Sequence, residues 1–187
     1  KSSNSLFYSF RELMEILDSL AKTSSLRLDG GSPSSQEKFL RCRLGSQDSG
    51  LLALIHVAEV IQIVLAEILP VPAMPECILG ICNWRGKMLW LVDLNLFLDY
   101  PPLVASEIAS VPLMAIVMQI EGQSMGLVVS QVQDIEWHDP SQIQPATASL
   151  FAAKTLPFLQ GYLPQADAIV LDPEAIARCP MWQLHRG

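Results

Sequence analysis

From Glu37 onward, apolar and polar positions alternate with a period of two. Phe39, Arg41 and Arg43 fall on one side of a strand, and Leu40, Cys42 and Leu44 on the other. Gly45 to Gly50 reads as a polar turn, and Leu51 to Ile55 as a second strand. Short runs rich in Val, Ile and Leu follow at Val60–Leu65, Ile78–Cys82, Met88–Val92, Leu113–Ile120, Met125–Val129, Val132–Trp137 and Ala168–Leu171. Turn residues separate them: Asn83 through Gly86, Glu121-Gly122-Gln123 and Asp139-Pro140. Many short strands at this spacing predict a barrel or a sandwich. Pro70, Pro72 and Pro75 exclude a helix in the middle. Asp172-Pro173-Glu174 combines a cap, a proline at the first helical position and an acid in the first turn, so it predicts a short helix through about Arg178.

Residues 1–36 have a different period. Phe10, Leu13, Met14, Leu17 and Leu20 recur at helical spacing. Ser9-Phe10-Arg11-Glu12 has the form of a capping box. An amphipathic helix is predicted from about Leu6 to Ala21, followed by a polar linker, Asp29-Gly30-Gly31-Ser32-Pro33-Ser34-Ser35. The remainder, 37–187, divides into two halves with about five strand signals each. They lie at about 37–100 and 111–171, parted by Pro101-Pro102 and the loop to Ser110, with the closing helix at about 173–179.

Composition sharpens this picture. Half of the 187 residues are apolar and only 17% are charged, against roughly a quarter in an average domain. The longest stretch free of Asp, Glu, Lys and Arg, Pro140 to Ala153, is 14 residues and contains several polar side chains. A spanning helix needs about 20 mostly apolar residues. The apolar excess therefore points to a large core and to surfaces that partners cover. A net charge of −7 argues against binding to nucleic acid or to an anionic membrane. Residues 1–36 are neutral, so the whole deficit belongs to 37–187. No segment has the pattern of a secretory leader, and Cys42, Cys77, Cys82 and Cys179 fit no C-x-x-C or zinc spacing. Buried, reduced thiols in a cytoplasmic protein are expected, with no metal and no cofactor.

Enzyme signatures are missing. G-x-S-x-G, H-E-x-x-H and the phosphate-binding loop do not occur. Cys82, with His56 or His138 as base, is the one nucleophile that can be sketched. A small strand residue explains it more simply. Charge placement singles out another position. Between Leu44 and Ala153 the only basic residues are Arg85 and Lys87, both in Asn83-Trp84-Arg85-Gly86-Lys87. A guanidinium raised on such a turn can meet a partner's carboxylate or carbonyl. The plainer alternative is a solvated tip, or a bridge to Glu76 or Asp93. Trp84, Trp90 and Trp137 follow strand alternation, and Met88 beside Trp90 is a possible partner surface together with Trp84.

Gly80-Ile81-Cys82-Asn83-Trp84-Arg85-Gly86, followed by Leu89-Trp90-Leu91-Val92-Asp93-Leu94, resembles the signature of CheW-like domains, G-[VI]-x-N-x-R-G, an apolar strand, then D-L. Val57-Ala58-Glu59-Val60 is similar to the family's V-x-E-[IV], and Gly126 to Val132 to its G-[LI]-x-V-D-x-V strand. Trp90 stands where the family usually has proline, and Ser130 where it usually has aspartate. The likeness runs from about Phe39 to Cys179. The pair Trp84 and Trp90 is similar to CheW-like proteins of cyanobacterial phototaxis and twitching systems.

The resemblance implies an all-β fold of two five-stranded SH3-like barrels sharing a core. It implies a non-catalytic adaptor that couples chemoreceptors to the regulatory domain of a CheA-type histidine kinase. It places Val57, Glu59, Gly80, Asn83, Arg85 and Gly86 at receptor- or kinase-binding positions, in a cytoplasmic protein recruited to receptor arrays. A regulatory fragment of a larger histidine kinase, or of a fused adaptor, is the alternative within the same fold.

Overall fold

A computed structural model describes residues 36–103 and 113–183. The helix and linker expected in 1–36 lie outside the described residues. Among the described residues, ten strands carry the fold: β1 Glu37–Leu44, β2 Asp48–Ala53, β3 Val57–Ile63, β4 Ile78–Trp84, β5 Lys87–Asp93, β6 Leu113–Ile120, β7 Gln123–Val129, β8 Val132–His138, β9 Leu159–Leu163 and β10 Ala168–Leu171. They form two five-stranded sheets, ordered β8-β1-β2-β10-β9 and β3-β6-β7-β5-β4. These are the two SH3-like barrels of an all-β fold. The helices are short: α1 Leu94–Phe97, α2 Pro173–Ala177 and α3 Pro180–Gln183.

One expectation is corrected. The barrels are not the halves 37–100 and 111–171. The β1–β2 hairpin pairs instead with β8, β9 and β10 from the end of the chain, while β3 to β7 form the other sheet. Pairing decides the partition. The outer side of β1 takes β8, with Leu40 opposite Ile135, and β2 takes β10 in parallel, with Leu51 opposite Val170. Pro101-Pro102 therefore joins β5 to β6 inside one sheet rather than parting two domains.

Smaller differences follow from context. β2 begins at Asp48, within the expected turn, and gives way to a 3-10 turn at Leu54–His56. β9, Leu-Gln-Gly-Tyr-Leu, has too weak an alternation to be read alone. It forms because β10 pairs with it from Leu159 to Leu163. Asp172 caps α2 as expected, accepting from the Ala175 amide at 2.9 Å, and α3 adds a turn beyond it.

Each barrel has its own interior. Phe39, Leu51, Ala53, Leu163, Ala168 and Val170 fill one. Leu89, Leu91, Leu113, Ala115, Val117 and Val128 belong to the other. The opposite faces of β1 and β6 are buried too: Leu40, Cys42 and Leu44 are 0–2% exposed, and Ile116 and Met118 at most 1%. Strands buried on both faces read as near-continuous apolar runs, which accounts for the high apolar content. Each such leucine or isoleucine contributes about 1.5–3 kcal/mol of transfer free energy.

Candidate functional site

The β4–β5 hairpin closes on the two-residue turn Arg85-Gly86, with Trp84 paired to Lys87 across it. Both turn residues have positive φ, +51° and +76°, which a tight hairpin of this hand requires. Glycine adopts that region freely. Arg85 is held there by its surroundings. The Asn83 side-chain oxygen accepts from the Gly86 amide at 3.1 Å, closing the turn from below.

Arg85 reaches Glu59 on β3. Its Nε donates to Glu59 Oε2 at 3.1 Å and its Nη2 lies 3.0 Å from the same oxygen. The indole N–H of Trp84 donates to that oxygen as well, at 2.8 Å. The guanidinium also stands 5.4 Å from the Trp84 ring centre. Three residues predicted separately thus form one unit. The bridge to Glu76 or Asp93 weighed above is not the one made. The Arg85 side chain is 68% exposed, so the ion pair itself is worth only about 0.2–1 kcal/mol. What the network achieves is orientation. One carboxylate oxygen of Glu59 takes three donors, one from the Trp84 indole and two from the Arg85 guanidinium.

Strand alternation sorts the rest. Cys82 and Trp84 pack against the barrel interior. Ile81 pairs with Trp90 and Asn83 with Met88, so these four share the outer face. Met88 is 75% exposed, and Leu69, bridged to Ile81, is 63% exposed. The sequence pattern missed Leu69 and Ile81 as members of this face, because Leu69 lies in the proline-punctuated segment and reaches β4 only through an isolated bridge. Val57 opens β3, half-buried and opposite Met118.

Gly80 is brought near the site for a backbone reason. Its φ is +139°, and a Cβ there would collide with the Leu69 carbonyl oxygen. Leu69 and Ile81 exchange two backbone hydrogen bonds of 2.9 Å beside it. Gly80 therefore lets the 65–69 segment close on β4.

The cysteine alternative finds no support in this geometry. Burial, then the charge of Glu67, pushes the Cys82 thiol up, the wrong direction for a nucleophile. His138 is engaged with Glu136 at 2.6 Å. Among the described residues, no group of three or more His, Cys, Asp or Glu side chains converges as a metal site would, and no helix is long and apolar enough to cross a membrane.

With the strand order and the Asn83–Arg85 hairpin in place, comparison decides the family. The CheW-like domain family model matches residues 38–179. The chain belongs to the CheW-like domain family. Among solved structures it is similar to the scaffolding protein TtCheW from Thermoanaerobacter tengcongensis, with a TM-score of 0.58 and 26% identity over 72% of this chain and 86% of that one. No curated protein matches. The central signature, Gly80 to Leu94, falls on β4, its turn, β5 and the first residue of α1.

Proposed function

We propose that this CheW-like protein is a non-catalytic adaptor that couples chemoreceptor tips to the regulatory domain of a CheA-type histidine kinase. The observation that carries the reading is the β4–β5 hairpin. Its exposed arginine is oriented by Glu59 and Trp84 and flanked by an apolar outer face of Leu69, Ile81, Met88 and Trp90. The solved relative from Thermoanaerobacter tengcongensis is a scaffolding protein, and membership of the family supports the same role here. A receptor tip is a helical hairpin, and one helix face fits an apolar strip rimmed by a fixed charge. Arg85 sets register by a charge-assisted bond, Glu59 and Trp84 hold it, Asn83 and Gly86 shape the turn, and Val57 and Gly80 place the strands beneath. Modest single affinities are raised by repetition in a membrane-associated array of a cytoplasmic protein.

The test is calorimetric titration of the full chain with a kinase regulatory domain and, separately, with a receptor-tip fragment. Arg85→Ala is expected to weaken at least one association by about tenfold, the loss of one charge-assisted bond. Glu59→Gln is expected to weaken the same association by less. If both associations survive Arg85→Ala unchanged, the assignment of this hairpin is wrong.

A further inference from the structure

On the other sheet, a cleft of about 430 Å³ opens between the β1–β2 turn, residues 150–151 and the β9–β10 hairpin. That size lies in the range of about 300–1,000 Å³ typical of ligand sites. Its walls include Asp48, Tyr100, Leu150, Phe151, Tyr162 and Asp167. Tyr100 Oη donates to Asp48 Oδ2 at 2.7 Å, and Tyr162 Oη donates to Asp167 Oδ1. Each tyrosine so engages one carboxylate oxygen, and Asp48 Oδ1 and Asp167 Oδ2 keep lone pairs with no donor among the described residues. Burial, then Asp48, holds the Tyr100 hydroxyl well above the ordinary tyrosine range, so it stays a donor.

Nearby cations are spent elsewhere. Arg41 is forked onto Glu136 and the Ala166 carbonyl, Arg43 reaches the Gln47 carbonyl, and Lys154 pairs with Asp99 at 2.5 Å. Two carboxylates among three aromatic rings make a setting for a cation. Carboxylates give it directed charge-assisted bonds, and ring faces attract it electrostatically. A planar guanidinium uses both at once, which a compact ammonium cannot. Leu150, 68% exposed at the rim, calls for an apolar neighbour on the occupant, which a free small cation does not supply. The net charge of −7 favours the same kind of ligand at a distance.

We propose that this cleft is a docking site for an arginine side chain of a partner protein, carried beside an aliphatic residue that covers Leu150. It shares no residue with the Arg85 hairpin and constitutes a second, oppositely charged contact surface.

The test uses the full chain, isotopically labelled and followed by amide NMR. The probe is the capped tripeptide acetyl-Leu-Arg-Leu-amide. The controls are the same peptide with citrulline for arginine, and choline chloride. The arginine peptide is expected to shift the amides of Asp48, Tyr100, Leu150, Tyr162 and Asp167 saturably. The citrulline peptide is expected to bind about tenfold or more weakly, since the guanidinium charge is gone. Asp48→Asn with Asp167→Asn should produce a similar loss while leaving the spectrum elsewhere intact, because asparagine still accepts from each tyrosine. Leu150→Ser should weaken the arginine peptide by a few-fold, and Arg85→Ala should change nothing here. Equal binding of the citrulline peptide, shifts confined to other residues, or indifference to the double substitution would overturn the proposal. So would choline binding these residues as tightly as the peptide, which would make the ligand a free cation. If the double variant does not fold, Asp167→Asn alone is titrated against the same two outcomes.

Discussion

The two barrels are built on one pairing plan and loaded differently. In each, an antiparallel hairpin (β6–β7, β1–β2) takes an antiparallel strand on one side (β3, β8) and, on the other, a parallel strand that closes a second hairpin (β5 after β4, β10 after β9). Both have a glycine where a bridging segment closes on the outer hairpin: Gly80 beneath Leu69, Gly161 beneath Gln144. In both, the strand of parallel pairing leads directly into a short helix capped by an aspartate, Asp93 at the end of β5 for α1 and Asp172 just after β10 for α2. The tips differ. At β9–β10, Asp167 is held by Tyr162 and the Ala166 carbonyl by Arg41, from within the same barrel. At β4–β5, Arg85 stands outward on Glu59. A shared frame thus shows which polar groups serve the frame and which are surplus to it, and the surplus marks the surfaces.

The largest losses are expected at the two glycines. Gly80→Ala meets a backbone oxygen and also a strained φ, so it is expected to cost about 3 kcal/mol or more. Gly161→Ala meets the Gln144 carbonyl and the Ile143 side chain without a strained φ, and is expected to cost about 2 kcal/mol. Urea unfolding measures both, and equal losses would remove the distinction drawn between the bridges.

Next come the caps. Asp93 is 1% exposed and accepts from the Leu96 amide at 3.0 Å and the Leu103 amide at 2.8 Å. Asp172 accepts from the Ala175 amide. Asp93→Ala is expected to cost about 2–3 kcal/mol against about 1 kcal/mol for Asp172→Ala. A reversed order in thermal unfolding would show that the strap after α1 is not anchored as described.

The arginines sharpen the comparison most directly. Arg41 is forked onto Glu136 at 2.6 and 3.0 Å and its side chain is 14% exposed. Arg41→Ala is expected to cost about 2 kcal/mol; Arg85→Ala about 0.5 kcal/mol or less, while affecting association. The Arg41 hydrogen bonds, and then His138, hold Glu136 below the ordinary glutamate range. Its contribution is therefore complete above the unfolded value of about 4.3 and is lost as pH falls through the lowered folded value. Stability of Arg41→Ala should depend less on pH in that acid window.

The smallest effect on folding is expected at Met88, 75% exposed. Met88→Ser should shift the unfolding free energy by less than about 0.5 kcal/mol and weaken partner association by a few-fold. A loss of stability larger than its loss of binding would make this face part of the frame.

β1 was legible because its apolar and polar positions alternate cleanly, and β6 and β7 because their apolar runs end at turn residues. β9 was not, since its glycine and glutamine blur the pattern and β10 supplies the pairing. The partition into barrels was illegible for a like reason. Nothing local in Phe39–Leu44 states that its neighbour is Val132–His138, about ninety residues on. In the site, the Asn-x-Arg-Gly turn and the lone pair of cations were visible, and so was Glu59 by family pattern. That one oxygen of Glu59 would take both the Trp84 indole and the Arg85 guanidinium was not, because β3 and the β4–β5 tip meet only through folding.

By itself, then, the sequence determined every strand but β9, the position of the hairpin turn, the Asp172 cap and the concentration of cationic charge at Arg85 and Lys87. All of these rest on interactions within a few residues. Tertiary structure decided which strands share a barrel, which glycine must yield to a carbonyl, and which acids face a cleft instead of an arginine. Those depend on contacts between segments far apart in the chain, where pairing and burial over the whole sheet outweigh local preference.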